Sequence, residues 1–194
     1  MAKTEAFEKY YLEYEDWFEK NQFLYQEELK TLKNMVGNAL NGIEIGIGSG
    51  RFALPMGIKI GIEPSEKMRN IAISKGLTVF DGIAEDLPFE NNRFDFAIMI
   101  TTICFVDDLL KSFEEAYRVI KLNGFFIIGY IDKDSKLGKE YKKKKQKSKF
   151  YKDAKFYTSD EIIRLLKLVG FSNFELETVN NTQESFLFLK MFKL

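Results

Sequence analysis

Gly42-Ile43-Glu44-Ile45-Gly46-Ile47-Gly48-Ser49-Gly50-Arg51 sets four glycines between positions 42 and 50, directly after a short apolar run. A glycine-rich turn leaving a strand lets backbone amides approach a ligand closely, and the helix end that follows favours negative charge. The spacing Gly46-x-Gly48-x-Gly50 would need glycine at position 51 to complete a dinucleotide fingerprint, and Arg51 stands there, which disfavours a nicotinamide oxidoreductase. Pro55 follows soon after, so the first crossover helix is expected to be very short, about two turns.

The chain around this turn alternates between two periods. Strands are expected at Ile43–Ile47, Ile58–Glu63, Leu77–Asp81, Phe94–Thr101 and Phe125–Ile131, with helices at Ser65–Lys75 and Asp108–Ile120. Strands alternating with helices predict a parallel α/β sheet, and the near-continuous apolar run Phe94–Thr101 suits a strand covered on both faces. Beyond Asp132 come a lysine-rich stretch, a helix over Ser159–Val169 and two strands, Asn173–Thr178 and Glu184–Phe192, joined as a hairpin through Val179 to Gln183. Before the glycines, Glu5–Met35 carries aromatic and aliphatic residues at helical spacing, with a break expected at Asn21.

Composition narrows the function classes. Hydrophobic residues are 45% and charged residues 30% of the 194, the balance of a soluble globular protein. Basic and acidic residues number 29 each, so no global field draws the chain to nucleic acid or an anionic membrane. Histidine is absent, which removes histidine metal ligands and Ser-His-Asp or Cys-His chemistry, and no metal site is expected. Cys104 is the one cysteine and can form no internal disulfide; with no signal-like amino terminus, a cytoplasmic protein is expected. No apolar run reaches the roughly 18–20 residues that span a bilayer, so no membrane insertion is expected.

Glu63, in Gly61-Ile62-Glu63-Pro64-Ser65, ends the second strand near the roughly 20-residue offset at which a carboxylate takes ribose hydroxyls. Glu44 lies within the first strand, two residues before Gly46. A nearly buried acid there fits a ligand bearing an ammonium group better than a diphosphate.

These motifs, with Ala84-Glu85-Asp86-Leu87-Pro88-Phe89-Glu90-Asn91-Asn92-Arg93-Phe94-Asp95 before the fourth strand, resemble class I S-adenosylmethionine-dependent methyltransferases, particularly the small-molecule methylases of quinone biosynthesis. The resemblance covers Gly42 to Ile131. It implies a Rossmann-like, mostly parallel sheet of about seven strands with a carboxy-terminal antiparallel hairpin and helices on both faces. One domain is implied over 1–194, comprising a helical lid (1–38), a cofactor-binding core (40–131) and a carboxy-terminal portion (132–194) with a basic segment, helix and hairpin.

Residue by residue, the resemblance puts the Gly46, Ile47, Gly48 and Gly50 backbone around the methionine portion of S-adenosylmethionine. Glu44 orients its ammonium and Glu63 takes the ribose. Pro64 and Met68 cover one adenine face and Ile83 the other, while Ala84 and Glu85 read the adenine edge. Thr101 lies near the cofactor amine and the path to the methyl. Many relatives carry Asp at the position of Ile83, which shifts adenine recognition toward Ala84 and Glu85.

Tyr14, Trp17 and Tyr25, with Thr102, Phe105, Tyr151 and Phe156, are expected to enclose a small apolar acceptor pocket, closed by the amino-terminal helices. The aromatic residues of those helices also suit a plain core. If the acceptor needs deprotonation, Asp107, Asp108 or a tyrosine such as Tyr14 is a candidate, and Thr101 is a further catalytic candidate. The run Lys142–Lys145 with Lys147, Lys149, Lys152 and Lys155 reads as a solvated helix rather than a nucleic-acid surface. An RNA or protein acceptor, and a cofactor-binding protein without transferase activity, stand as alternatives to a small organic acceptor. Either a monomer or a homodimer is compatible with the sequence.

Overall fold

The computed structural model describes residues 3–179 and 186–194. Its helices are α1 (Glu5–Lys9), α2 (Tyr11–Lys20), α3 (Gln22–Val36), α4 (Glu66–Ser74), α5 (Leu109–Val119), α6 (Lys136–Lys144) and α7 (Ser159–Val169). Its strands are β1 (Gly42–Ile45), β2 (Ile60–Ile62), β3 (Thr78–Phe80), β4 (Phe94–Ile100), β5 (Ile120–Ile131), β6 (Ser172–Thr178) and β7 (Phe186–Phe192). They form one seven-stranded sheet in the order β3-β2-β1-β4-β5-β7-β6. Pairs from β3 to β5 are parallel; β7 runs antiparallel between β5 and β6. The strand order reverses between β1 and β4, and a crevice at the carboxyl ends of those strands is where open α/β sheets take ligands.

Alternation along the central strands builds two cores. Ala97 and Met99 of β4 join Phe126 and Ile128 of β5 against Phe113 and Ala116 of α5 and Ile162 and Leu166 of α7. Phe96, Ile98 and Ile100 point the opposite way, with Ile127, toward Leu29, Leu32, Met35 and Val36 of α3. Each fully buried side chain of this size contributes about 1.5–3 kcal/mol by leaving water.

Several boundaries differ from the sequence expectation. After the glycine turn the chain makes consecutive turns through 51–57 instead of a two-turn helix. Pro55 offers no amide, and Gly57 adopts φ 71°, so the bonds from Leu54 N to Gly50 O and from Met56 N to Phe52 O do not propagate. Strand β5 begins five residues earlier than expected, because Ile120 leaves the helix at ψ 139° and pairs with Phe94. The amino-terminal helix breaks at Tyr10 as well as at Asn21.

The expected lid at 1–38 also divides. Helix α1 has no buried residue and α2 buries only Phe18, but α3 buries six, including Leu29 and Leu32. Helix α3 is therefore a layer of the core. Strands β6 and β7 pair as the expected antiparallel hairpin, while most of the connection at Val179 to Gln183, and Glu184, lie outside the described residues.

Candidate active site

The glycine turn is fixed from behind by β2. The amides of Gly46 and Ile47 both donate to the Ile62 carbonyl, at 3.0 and 2.9 Å. Gly46 has φ 72°, and a Cβ there would lie 2.5 Å from the Thr102 side chain; glycine is required both by conformation and by the close approach of the β4 exit. Gly48, at φ 55°, faces Met68 and the Tyr14 hydroxyl, 3.5 and 3.7 Å from the position of an added Cβ.

Glu63 is 8% exposed. One of its oxygens accepts from Gly48 N at 2.8 Å and the other from Ser65 N at 2.9 Å. Burial pushes its carboxyl up to about 7 against the pull of those two amides. Ser65 itself caps α4, its Oγ accepting from Met68 N. Glu44 is 2% exposed, and its Oε2 has no hydrogen-bond partner among the described residues. Burial raises its carboxyl well above the usual range, so the fold leaves an acid deep beside the turn with one oxygen unsatisfied.

At the end of β4, Thr101 adopts φ 52°, a sparsely populated conformation for a β-branched residue. Its amide donates to Gly129 O at 2.7 Å and its hydroxyl to Ile100 O at 2.8 Å. This kink turns the chain out of the sheet at the switch point. Burial drives the Tyr14 phenol far above its ordinary range, with Glu44 and Glu63 adding repulsion.

A cavity of about 1370 Å³ opens over these groups. Gly46, Gly48, Glu63, Pro64, Met68, Ile83, Ala84, Glu85, Thr101, Thr102 and Phe105 lie on its wall together with Tyr14, Trp17 and Tyr151. The amino-terminal segment, the β4 exit and the segment near Tyr151 are thus brought together as expected. Ring contacts join them: Phe7 meets Tyr14, Phe105 and Phe150, and Phe105 stacks on Tyr151 at 5.9 Å.

Other expected residues are not on that wall. Gly50 turns away, where a Cβ would strike Leu77, and Ile47 is packed in the core. Tyr25 lies behind the turn, donating its hydroxyl to Arg51 O. Phe156 packs on Tyr141 and Tyr151 and borders a separate small void. Asp107 and Asp108 are also off the wall; Asp108 caps α5 through Lys111 N. Glu85 reaches the cavity, but its Oε1 accepts from the amides of Asp107 and Asp108 at 2.7 and 3.1 Å, so it ties the loop before β4 to the loop after it.

Two features were missed in the sequence. Arg51 anchors α2 by pairing with Glu15 at 2.7 Å and Glu19 at 3.0 Å, and its guanidinium lies over Phe18. Glu15 also takes the Ser49 hydroxyl, so α2 is fastened to the glycine turn itself. Glu28 lines the cavity at 7% exposure. An acid at helical spacing among Tyr25, Leu29 and Leu32 was a readable signal for it.

Residues 43–128 match the family described as a methyltransferase domain. A crystal structure from Thermotoga maritima superposes with a TM-score of 0.91 at 40% identity, covering 98% of this chain and all (100%) of that one. The chain belongs to the class I S-adenosylmethionine-dependent methyltransferases, and S-adenosylmethionine is its cofactor. That Thermotoga protein is described as an S-adenosylmethionine-dependent methyltransferase and possible histamine N-methyltransferase. The uncharacterised protein MJ1123 of Methanocaldococcus jannaschii is 48% identical over 168 residues, 87% of this chain and 82% of that protein. The ubiquinone/menaquinone biosynthesis C-methyltransferase of Rickettsia typhi is 33% identical over 126 residues, 56% of this chain and 48% of its own length.

The wall fits this cofactor: the open face of Gly48 suits close backbone approach, and Glu63 has acceptor capacity left on both oxygens. Glu44 is not on that wall; it lies buried beside the turn, with one oxygen unpartnered and its carboxylate also taking the Ala53 amide. Among the described residues no group of acids and cysteine that could hold a metal occurs, and no helix is long and apolar enough to cross a membrane.

Proposed function

We propose that the chain transfers a methyl group to a small organic acceptor held between the glycine turn and the aromatic roof. The observation that carries this reading is one continuous cavity of about 1370 Å³ joining both regions. Ligand pockets commonly measure about 300–1,000 Å³, so there is room for the cofactor and a second molecule of modest size.

In this reading the Gly46–Gly48 backbone and Glu44 hold the methionine end, Glu63 the ribose, and Met68 and Ile83 the adenine faces. S-adenosylmethionine supplies an electrophilic methyl on a positively charged sulfur. The chain supplies position and dryness: Phe7, Tyr14, Phe105, Phe150 and Tyr151 exclude water above Thr101, and alignment of acceptor and methyl lowers the barrier without a metal. The Thermotoga relative's description supports a nitrogen acceptor, and the Rickettsia relative's supports carbon.

A methyl-transfer screen of small amines, phenols, thiols and hydroquinones with the intact protein tests the reading. Turnover of one of these classes is expected. Turnover of RNA or protein alone would overturn it.

A further inference from the structure

Glu28 is the buried acid that cofactor binding, as described, does not use. It lies on the inner face of α3, on the cavity wall with Tyr14, Trp17, Phe18 and Tyr141. Among the described residues no hydrogen bond or ion pair reaches its carboxyl, although it is only 7% exposed. An ionised acid in such a place is costly unless something pairs with it. In the methyl-transfer reading Glu44 is matched to the cofactor ammonium; Glu28 has no such match.

We infer that Glu28 is the counter-ion and proton acceptor for a primary alkylamine carrying an aromatic ring, the acceptor that fills the aromatic end of the cavity. This rests on the methyl-transfer reading above. The surrounding rings suit such a molecule twice, since they stack on its ring and favour a cation near their faces. A phenolate or hydroquinone anion would instead meet like charge at Glu28.

The chemistry balances. An alkylammonium enters and hydrogen-bonds to the Glu28 carboxylate, then passes it one proton, which frees the nitrogen lone pair. That pair forms the new nitrogen–carbon bond to the cofactor methyl while the carbon–sulfur bond breaks and its electrons stay on sulfur. The product leaves as an N-methylammonium, and the Glu28 proton returns to solvent once the site opens.

Burial alone places the Glu28 carboxyl at about 7, close to where a general base works best. The titratable groups that feel it are Tyr14 on α2, Tyr25 on α3, Tyr141 on α6 and Tyr151. Lys136, Glu140 and Lys144 of α6 and Lys147 beyond it also border the cavity, and Glu140 pairs with Lys144 at 3.8 Å.

The test uses the intact protein saturated with S-adenosylhomocysteine, titrated with 2-phenylethylamine, tyramine and the neutral isostere 2-phenylethanol. The amines are expected to bind at least about tenfold tighter than the alcohol. Glu28→Gln is expected to remove that preference while leaving S-adenosylhomocysteine affinity unchanged. Amine affinity and methyl transfer should rise with pH through about 7 in the native protein, and the rise should vanish in the variant.

Equal binding of amine and alcohol, no amine binding, or amine binding insensitive to Glu28→Gln overturns the inference. If the variant fails to fold, the amine-against-alcohol comparison on the native protein still decides it. Failure of S-adenosylhomocysteine to bind would instead undermine the methyl-transfer reading beneath.

Discussion

The two halves of the cavity are built by different means. Below, the glycine turn, Glu63 and the β4 exit are held by backbone hydrogen bonds into a seven-stranded sheet, as with Gly46 and Ile47 on Ile62 O. Above, α1 and α2 bury one residue between them and are held by ring contacts and by ion pairs such as Glu15 with Arg51 and Glu13 with Lys149. Elements with few buried contacts open locally at low cost. In the proposed reading the rigid lower half binds the cofactor and the loosely held upper half admits and covers the acceptor.

The sharpest way to break this contrast is to cut at the helix break. Removing residues 1–20 should abolish methyl transfer while leaving a folded protein that binds S-adenosylhomocysteine, because α3 and the sheet remain intact. Removing α3 as well should prevent folding, since Leu29, Leu32, Met35 and Val36 cover one sheet face. Circular dichroism and calorimetry on both truncations check this. Transfer at the intact rate by the shorter cut would return α1 and α2 to a purely structural role.

Single side chains should follow the same division. Leu32→Ala, at a fully buried position, should cost about 2–5 kcal/mol of stability in denaturant unfolding. Arg51→Ala should cost about 1 kcal/mol or less of stability, as its ion pairs are partly solvated. It should slow transfer more than it weakens cofactor binding. Equal losses in transfer and in cofactor affinity would mean that Arg51 serves the turn and not the lid.

The smallest effect concerns pH. Burial raises the Glu28 and Glu63 carboxyls to about 7, and Glu44 is raised too. Between their unfolded range near 4.5 and about 7, the folded state binds more protons than the unfolded state, so stability falls as pH rises. With no histidine in the chain, this interval reports mainly those acids. Thermal midpoints should decline modestly from pH 5 to pH 8, and less so in Glu28→Gln. A midpoint that rises across the interval would contradict the burial argument.

The lower half was largely legible in the sequence because its chemistry is local. The turn after β1, Glu63 two residues before its helix cap, and the apolar run of β4 are each written in consecutive residues. The roof was legible only as an excess of aromatics at helical spacing. Which rings meet depends on chain crossings far apart in sequence, so the meetings of Phe7 with Phe150 and of Tyr141 with Tyr151 were not readable, and Tyr25 and Phe156, expected around the pocket, lie off its wall. Glu85 illustrates a second limit: its position in the loop was readable, but not that its carboxylate is engaged by the Asp107 and Asp108 amides.

The most direct test of the cofactor half is calorimetric titration of S-adenosylhomocysteine into Glu63→Gln beside the native protein. The side-chain amide keeps one carbonyl acceptor, so the fold should persist. Charge-assisted bonds to ribose hydroxyls are lost, and the dissociation constant should rise about 10- to 100-fold. An unchanged constant in a folded variant would show that Glu63 serves only the Gly48 and Ser65 amides, and would contradict the account.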